Sequence, residues 1–114
     1  MKSLKQLNLK EHEKRALQDL KNKVLKKFPD AEIILYGSKA RGDGEEFSDI
    51  DLLVFVDSKV DRKIKEQITE IKYDIELKYD VVFGTIIENR EFWNSPLANA
   101  MPFHWNIDRD GVHL

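Results

Sequence analysis

The 114-residue sequence contains no cysteine, which excludes a disulfide framework, a thiolate nucleophile and any Cys-based zinc site. Its three histidines, His12, His104 and His113, are scattered without metal-ligand spacing. No apolar run approaches the roughly 20 residues needed to span a membrane. The opening Met1-Lys2-Ser3-Leu4-Lys5 also lacks the apolar segment of a signal peptide, so the expected location is the cytoplasm. The length suits one domain, residues 1–114, with a real core and is too short for two ordinary ones. Net charge is -2, but residues 1–28 hold nine Lys/Arg against three Asp/Glu, and residues 29–114 hold ten against eighteen. That asymmetry fits a solvated basic helix face followed by an acidic metal site, or a basic helix meeting RNA or an acidic partner. The first reading is preferred, and direct nucleic-acid binding is not expected.

Asn8 followed three residues later by Glu11 resembles a capping box, and Leu17, Leu20, Val24 and Phe28 recur at helical spacing up to Pro29. This predicts a helix over about 9–28. Ala31 to Tyr36 reads as a buried strand ended by Gly37, and 37–48 as turn and loop. Ile50 to Val56 is apolar on both faces, as in a central strand. Ser58 with Asp61 can cap a helix carrying Ile64, Ile68, Ile71 and Ile75 as a core stripe. Lys78 to Phe83 reads as a third strand carrying Asp80, and the remainder as helical and aromatic, with a turn at Asp110-Gly111. Phe92, Trp93, Phe103 and Trp105 fit either core or a docking surface. The expected fold is a small α/β (α+β) domain, a short mixed three-stranded sheet covered by helices.

Chemistry concentrates in two stretches, Gly37-Ser38-Lys39-Ala40-Arg41-Gly42 and Ser48-Asp49-Ile50-Asp51-Leu52-Leu53-Val54. On a strand, positions 49 and 51 point the same way about 7 Å apart, so their carboxylates can share divalent cations. Mg²⁺ favours carboxylate, water and phosphate oxygens, which suggests a metal nucleotide. The glycine spacing matches half of a P-loop, but Asp43-Gly44 stands where Lys and Ser/Thr are required. Ser38 lacks the elbow and histidine base of a serine nucleophile. Two parallel aspartates do not flank a scissile glycosidic bond. The acidic residues Asp43, Glu45 and Glu46 read as a solvated loop.

The order Gly-Ser, ten intervening residues, Asp-x-Asp heading an apolar strand, then a further carboxylate resembles the nucleotidyltransferase superfamily shared with DNA polymerase β and kanamycin nucleotidyltransferase. The specific form looks most like the minimal nucleotidyltransferases, and Ile107 to Leu114 resembles their usual ending. The resemblance implies that Asp49, Asp51 and Asp80 form the catalytic, metal-holding set for Mg²⁺, two ions being expected. Gly37, Ser38, Lys39 and Arg41 would contact the phosphates of ATP, helped by backbone N–H groups of the turn. It further implies transfer of AMP to a hydroxyl, tyrosine above all, of a partner HEPN-domain ribonuclease toxin in a hetero-oligomer, so that the chain acts as antitoxin. Lys78 or Arg90 could instead hold Asp80 as an ion pair. The alternatives are an antitoxin that neutralises by occlusion alone and an aminoglycoside-type enzyme acting on a small molecule.

Overall fold

The computed structural model describes residues 7–42 and 48–114, so Asp43, Glu45 and Glu46 lie outside the described residues. Helix α1 (Glu11–Lys27) is followed by β1 (Glu32–Tyr36), the single turn α2 (Ser38–Arg41), β2 (Ile50–Val56), α3 (Arg62–Tyr79) and β3 (Phe83–Asn89). Three short helices, α4 (Arg90–Trp93), α5 (Pro96–Asn99) and α6 (Pro102–Asp110), then lead into β4 (Val112–His113). The first helix starts later than the Asn8 to Glu11 spacing predicts. Its N-terminal turn is closed by Glu13, whose Oε1 accepts the Lys10 N–H at 2.9 Å, a backbone donor that the helix leaves unused. In α3 the Asp61 carboxylate accepts the Ile64 N–H at 2.9 Å, in the manner expected of an N-cap.

The strands run β3-β2-β1-β4, with β2 antiparallel to β1 and parallel to β3, and β1 antiparallel to β4. The sheet is thus mixed, as expected, but has four strands instead of three. Val112 and His113, read from sequence as a short end, pair with Leu35 and Ile34. A larger correction concerns the third strand. Lys78 and Tyr79 complete the last turn of α3, Asp80 caps it in the left-handed conformation (φ 55, ψ 53), and the strand begins at Phe83. The helix wins locally because Tyr79 is held against α1, its hydroxyl donating to Asp19 Oδ2 at 3.1 Å. Glu76 Oε2 then accepts the Phe83 N–H at 2.8 Å and starts the strand there.

Alternation along β1 and β2 divides the core in two. Ile33, Leu35, Ile50, Leu52, Val54 and Val56 pack with Leu17, Leu20 and Val24 of α1 and Ile68 and Ile75 of α3. The opposite face carries Ile34, Leu53 and Phe55, covered by Ile107, Trp93 and Phe103. Trp93 lies 5.2 Å from the Phe55 ring and 5.8 Å from that of Phe103, which in turn meets Tyr36 edge-on at 5.3 Å. The aromatic segment therefore splits: Trp93 and Phe103 join the core, while Phe92 and Trp105 remain exposed. Arg90 ties this layer to the sheet, with Glu32 at 3.1 Å, Asp57 at 2.9 Å and the Asp30 carbonyl at 2.8 Å. Among the described residues no helix is long and apolar enough to cross a membrane.

Ile75 is fully buried between α3 and the sheet. Ile75→Ala should lower unfolding free energy by about 2–5 kcal/mol through lost transfer energy and the cavity left behind. Urea denaturation checks this: the midpoint should fall with little change in slope, and an unchanged midpoint would contradict the packing described.

Candidate active site

The site is built on one row of the sheet. Tyr36 pairs with Asp51 across β1 and β2, and Asp51 pairs with Gly84 across β2 and β3. The Asp51 carboxylate thus lies between two stretches of bare backbone. A Cβ on Gly37 would fall 2.4 Å from Asp51 Oδ2, and one on Gly84 would fall 2.9 Å from Oδ1. Gly37 also adopts φ +75, where an L side chain is strained regardless of space. It ends β1 and launches α2, its carbonyl accepting the N–H groups of Ala40 and Arg41, both at 3.1 Å. Those two amides are therefore engaged within the turn, which leaves the cradle expected from sequence to the beginning of α2. Ser38 is half-buried there, and buried Ala40 anchors the turn to the core.

At the start of β2, the Ile50 N–H donates to the Val82 carbonyl at 2.9 Å, which fixes the entry of the strand. Asp49, just before it, is exposed, whereas Asp51 is half-buried. Burial pushes the Asp51 carboxyl above its ordinary pKa, the Asp49 charge pushes it further, and the Arg41 guanidinium opposes both. Burial also raises the Tyr36 hydroxyl, with the Asp51 charge adding to it. Asp49 and Arg41 thus both act electrostatically on Asp51.

Two candidates stand elsewhere. Lys39 is turned toward α1: its Nζ lies 3.0 Å from Glu13 Oε2, and the two side chains are only 8% and 7% exposed. In this structure a nearly solvent-free carboxylate therefore engages the ammonium that was expected to meet phosphate. Asp80 is exposed and lines a cavity of about 420 Å³ with Lys10, His12, Glu13, Ser48 and Ile50. Ile50 belongs to the α1 and α3 side of the sheet, the side away from Asp51. The residue beside Asp51 on the neighbouring strand is Gly84, not Asp80. Accordingly, among the described residues no three His, Asp or Glu side chains converge as a metal set. Lys78 and Arg90, considered as partners of Asp80, bind Asp19 and the Glu32/Asp57 pair instead.

Glu13, Tyr36 and Gly84 do not stand out in the motifs. Glu13 carried a signal nonetheless, since it shares the helical stripe of Leu17, Leu20 and Val24, where a carboxylate requires a partner. Gly84 carried another, because glycine inside an apolar strand marks close approach of a neighbour. The donor set fits a hard divalent cation in part: Asp49 and Asp51 supply anionic oxygens, the glycine walls leave Asp51 uncovered by side chains, and a cation would relieve the charge that its seat disfavours.

A carboxyl raised above its unfolded value, about 3.9, contributes stability that is present below that value and lost as pH rises through the folded value. Metal-free protein should therefore carry a penalty at pH 7 that Asp51→Asn relieves. The variant should melt at or above wild type at pH 7 in chelator, with the advantage shrinking as pH approaches about 4. A clearly lower melting temperature for Asp51→Asn at pH 7 would show that the charge is not strained.

Comparison with known proteins agrees with this geometry. Residues 17–101 match the family model of the nucleotidyltransferase domain. The chain is 34% identical over 102 residues to "Putative protein adenylyltransferase MJ0604" of Methanocaldococcus jannaschii, covering 88% of this chain and 95% of that protein. A second protein of that organism, "Putative protein adenylyltransferase MJ0141", is 44% identical over 55 residues, covering 48% of this chain and 56% of that one. Among solved structures, the crystal structure of a toxin-antitoxin with AMP-PNP superposes with a TM-score of 0.56 at 17% identity, over 84% of this chain and 70% of the other, a likeness of fold. With its family model spanning the turn, the paired aspartates and the glycine-walled strand row, the chain belongs to the nucleotidyltransferase domain family, and it is a nucleotidyltransferase.

Proposed function

We propose that this protein is a Mg²⁺-dependent adenylyltransferase that moves AMP from ATP to a hydroxyl, tyrosine above all, on a partner protein of the HEPN ribonuclease-toxin type, and so serves as its antitoxin. The observation that carries the reading is the seat of Asp51 between Gly37 and Gly84, with the Asp49 and Arg41 charges acting on it. The adenylyltransferase names of the M. jannaschii relatives and the toxin-antitoxin neighbour support the choice of a protein acceptor.

Asp49 and Asp51 would hold the divalent ion, which supplies charge neutralisation on the triphosphate and polarisation of the α-phosphorus. Gly37 and Gly84 keep side chains off the Asp51 carboxylate, so that a divalent cation accompanying the phosphates could reach it. Ser38 would donate its hydroxyl to a β or γ oxygen, and Arg41 would offset negative charge beside Asp51. The attacking hydroxyl comes from the acceptor: its oxygen joins the α-phosphorus, the bond from that phosphorus to the β-phosphate oxygen breaks, pyrophosphate leaves, and the hydroxyl proton passes to solvent.

One observation favours the occlusion-only alternative: Gly84 stands where a third carboxylate on the neighbouring strand would sit. Incubating the protein with labelled ATP, Mg²⁺ and its toxin partner separates the readings. Transfer requires that the partner gain the mass of AMP and that Asp49→Asn with Asp51→Asn abolish this gain. A partner that is suppressed without modification, equally well by the double variant, would leave occlusion as the function. Asp80→Asn should keep metal-dependent ATP binding and cost transfer less than about tenfold, in line with a group outside the transition-state contacts. A loss equal to that of Asp51→Asn would return Asp80 to the catalytic set.

A further inference from the structure

The phosphate-facing turn is fastened on both sides by carboxylates. On one side Gly37 rests against Asp51. On the other, Lys39 is drawn into the interior by Glu13, whose two oxygens do separate work: Oε1 accepts the Lys10 N–H at 2.9 Å, and Oε2 meets Lys39 Nζ at 3.0 Å. One side chain therefore caps α1 and ties α2 to it. We infer that Glu13, acting through Lys39, is a positioning residue that sets the placement of the Ser38 to Arg41 turn for the nucleotide, and that Lys39 serves as a tether and not as a phosphate ligand. The inference deepens the nucleotidyltransferase reading and rests on it.

The physical case lies in burial and geometry. A lysine ammonium aimed at phosphate belongs in a wet, open site, yet this one is 8% exposed against a carboxylate that is 7% exposed. Burial alone would raise the Glu13 carboxyl, but the Lys10 N–H and the Lys39 ammonium overcome it and hold the group below its ordinary value. Removing one partner leaves an uncompensated buried charge, whereas removing both does not. Stability and placement can therefore be separated: a Glu13→Gln, Lys39→Met double variant regains the stability lost by either single change but lacks the tether.

The test is calorimetric titration of a non-hydrolysable ATP analogue with Mg²⁺ into wild type, Glu13→Gln, Lys39→Met, the double variant and Asp51→Asn. Each is held at a temperature where circular dichroism shows it folded. A tether predicts about tenfold weaker binding in both single variants and in the double variant alike, because coupled residues are not additive. Should a single variant fail to fold, the double variant decides. The inference is overturned if Glu13→Gln binds as well as or better than wild type, which is the result expected when Lys39 is released toward phosphate. It is overturned equally if the double variant regains wild-type affinity. Unaltered binding in Asp51→Asn would instead bring down the nucleotide site itself, so the two failures are distinguishable.

Discussion

The arrangement turns on the close approach of the Asp51 carboxylate to backbone on both sides. Gly37 and Gly84 come from different ends of the chain segment, one closing β1 and the other near the start of β3, and register alone brings them to the same aspartate. Any side chain at either position would meet a carboxylate oxygen at under 3.0 Å. The pairing of three strands, the left-handed glycine and the access to Asp51 are therefore a single constraint. The central position of β2, with apolar layers on both faces, holds the strand that carries this carboxylate in place.

This seat has an energetic cost within the protein alone. Burial and the Asp49 charge both disfavour an ionised Asp51, and such local strain persists only where the surrounding packing over-determines it. The surroundings here are well suited to that. Leu52, Leu53 and Val54 are almost wholly buried, and the two clusters grip β2 from opposite sides. The Glu13 and Lys39 pair works in the opposite sense, as two charges that satisfy each other away from water. The Asp51 charge is disfavoured by its seat, whereas the Glu13 charge is matched by Lys39.

Much of this was legible in the residues. Period-2 and period-3.6 patterns located α1, β1, β2 and α3 within a few positions, and Asp61 and Gly37 performed the capping and turning roles their types suggest. The failures share a cause. Val81 and Val82 carry strand propensity, but Tyr79 is held by Asp19 on the distant α1 and Glu76 takes the Phe83 N–H across the turn, and these side-chain contacts put the strand start at Phe83. With that shift Asp80 becomes a helix cap, and Gly84 occupies the row beside Asp51. The pairing of Lys39 with Glu13 was not legible, since its partner lies on α1, more than twenty residues earlier, where no local spacing reveals it. The two-residue β4 was invisible for a related reason, being defined by pairing with β1 and not by any pattern of its own.

In the proposed reaction Asp51 and Asp49 hold the divalent ion that accompanies ATP. Crystals grown with Mn²⁺ and a non-hydrolysable ATP analogue allow the metal to be located by anomalous scattering, independently of turnover. The account predicts a peak about 2.1 Å from an Asp51 oxygen, shared with Asp49 and with phosphate oxygen. A peak beside Asp80 with none at Asp51, or nucleotide bound with no metal between it and these two aspartates, would contradict it.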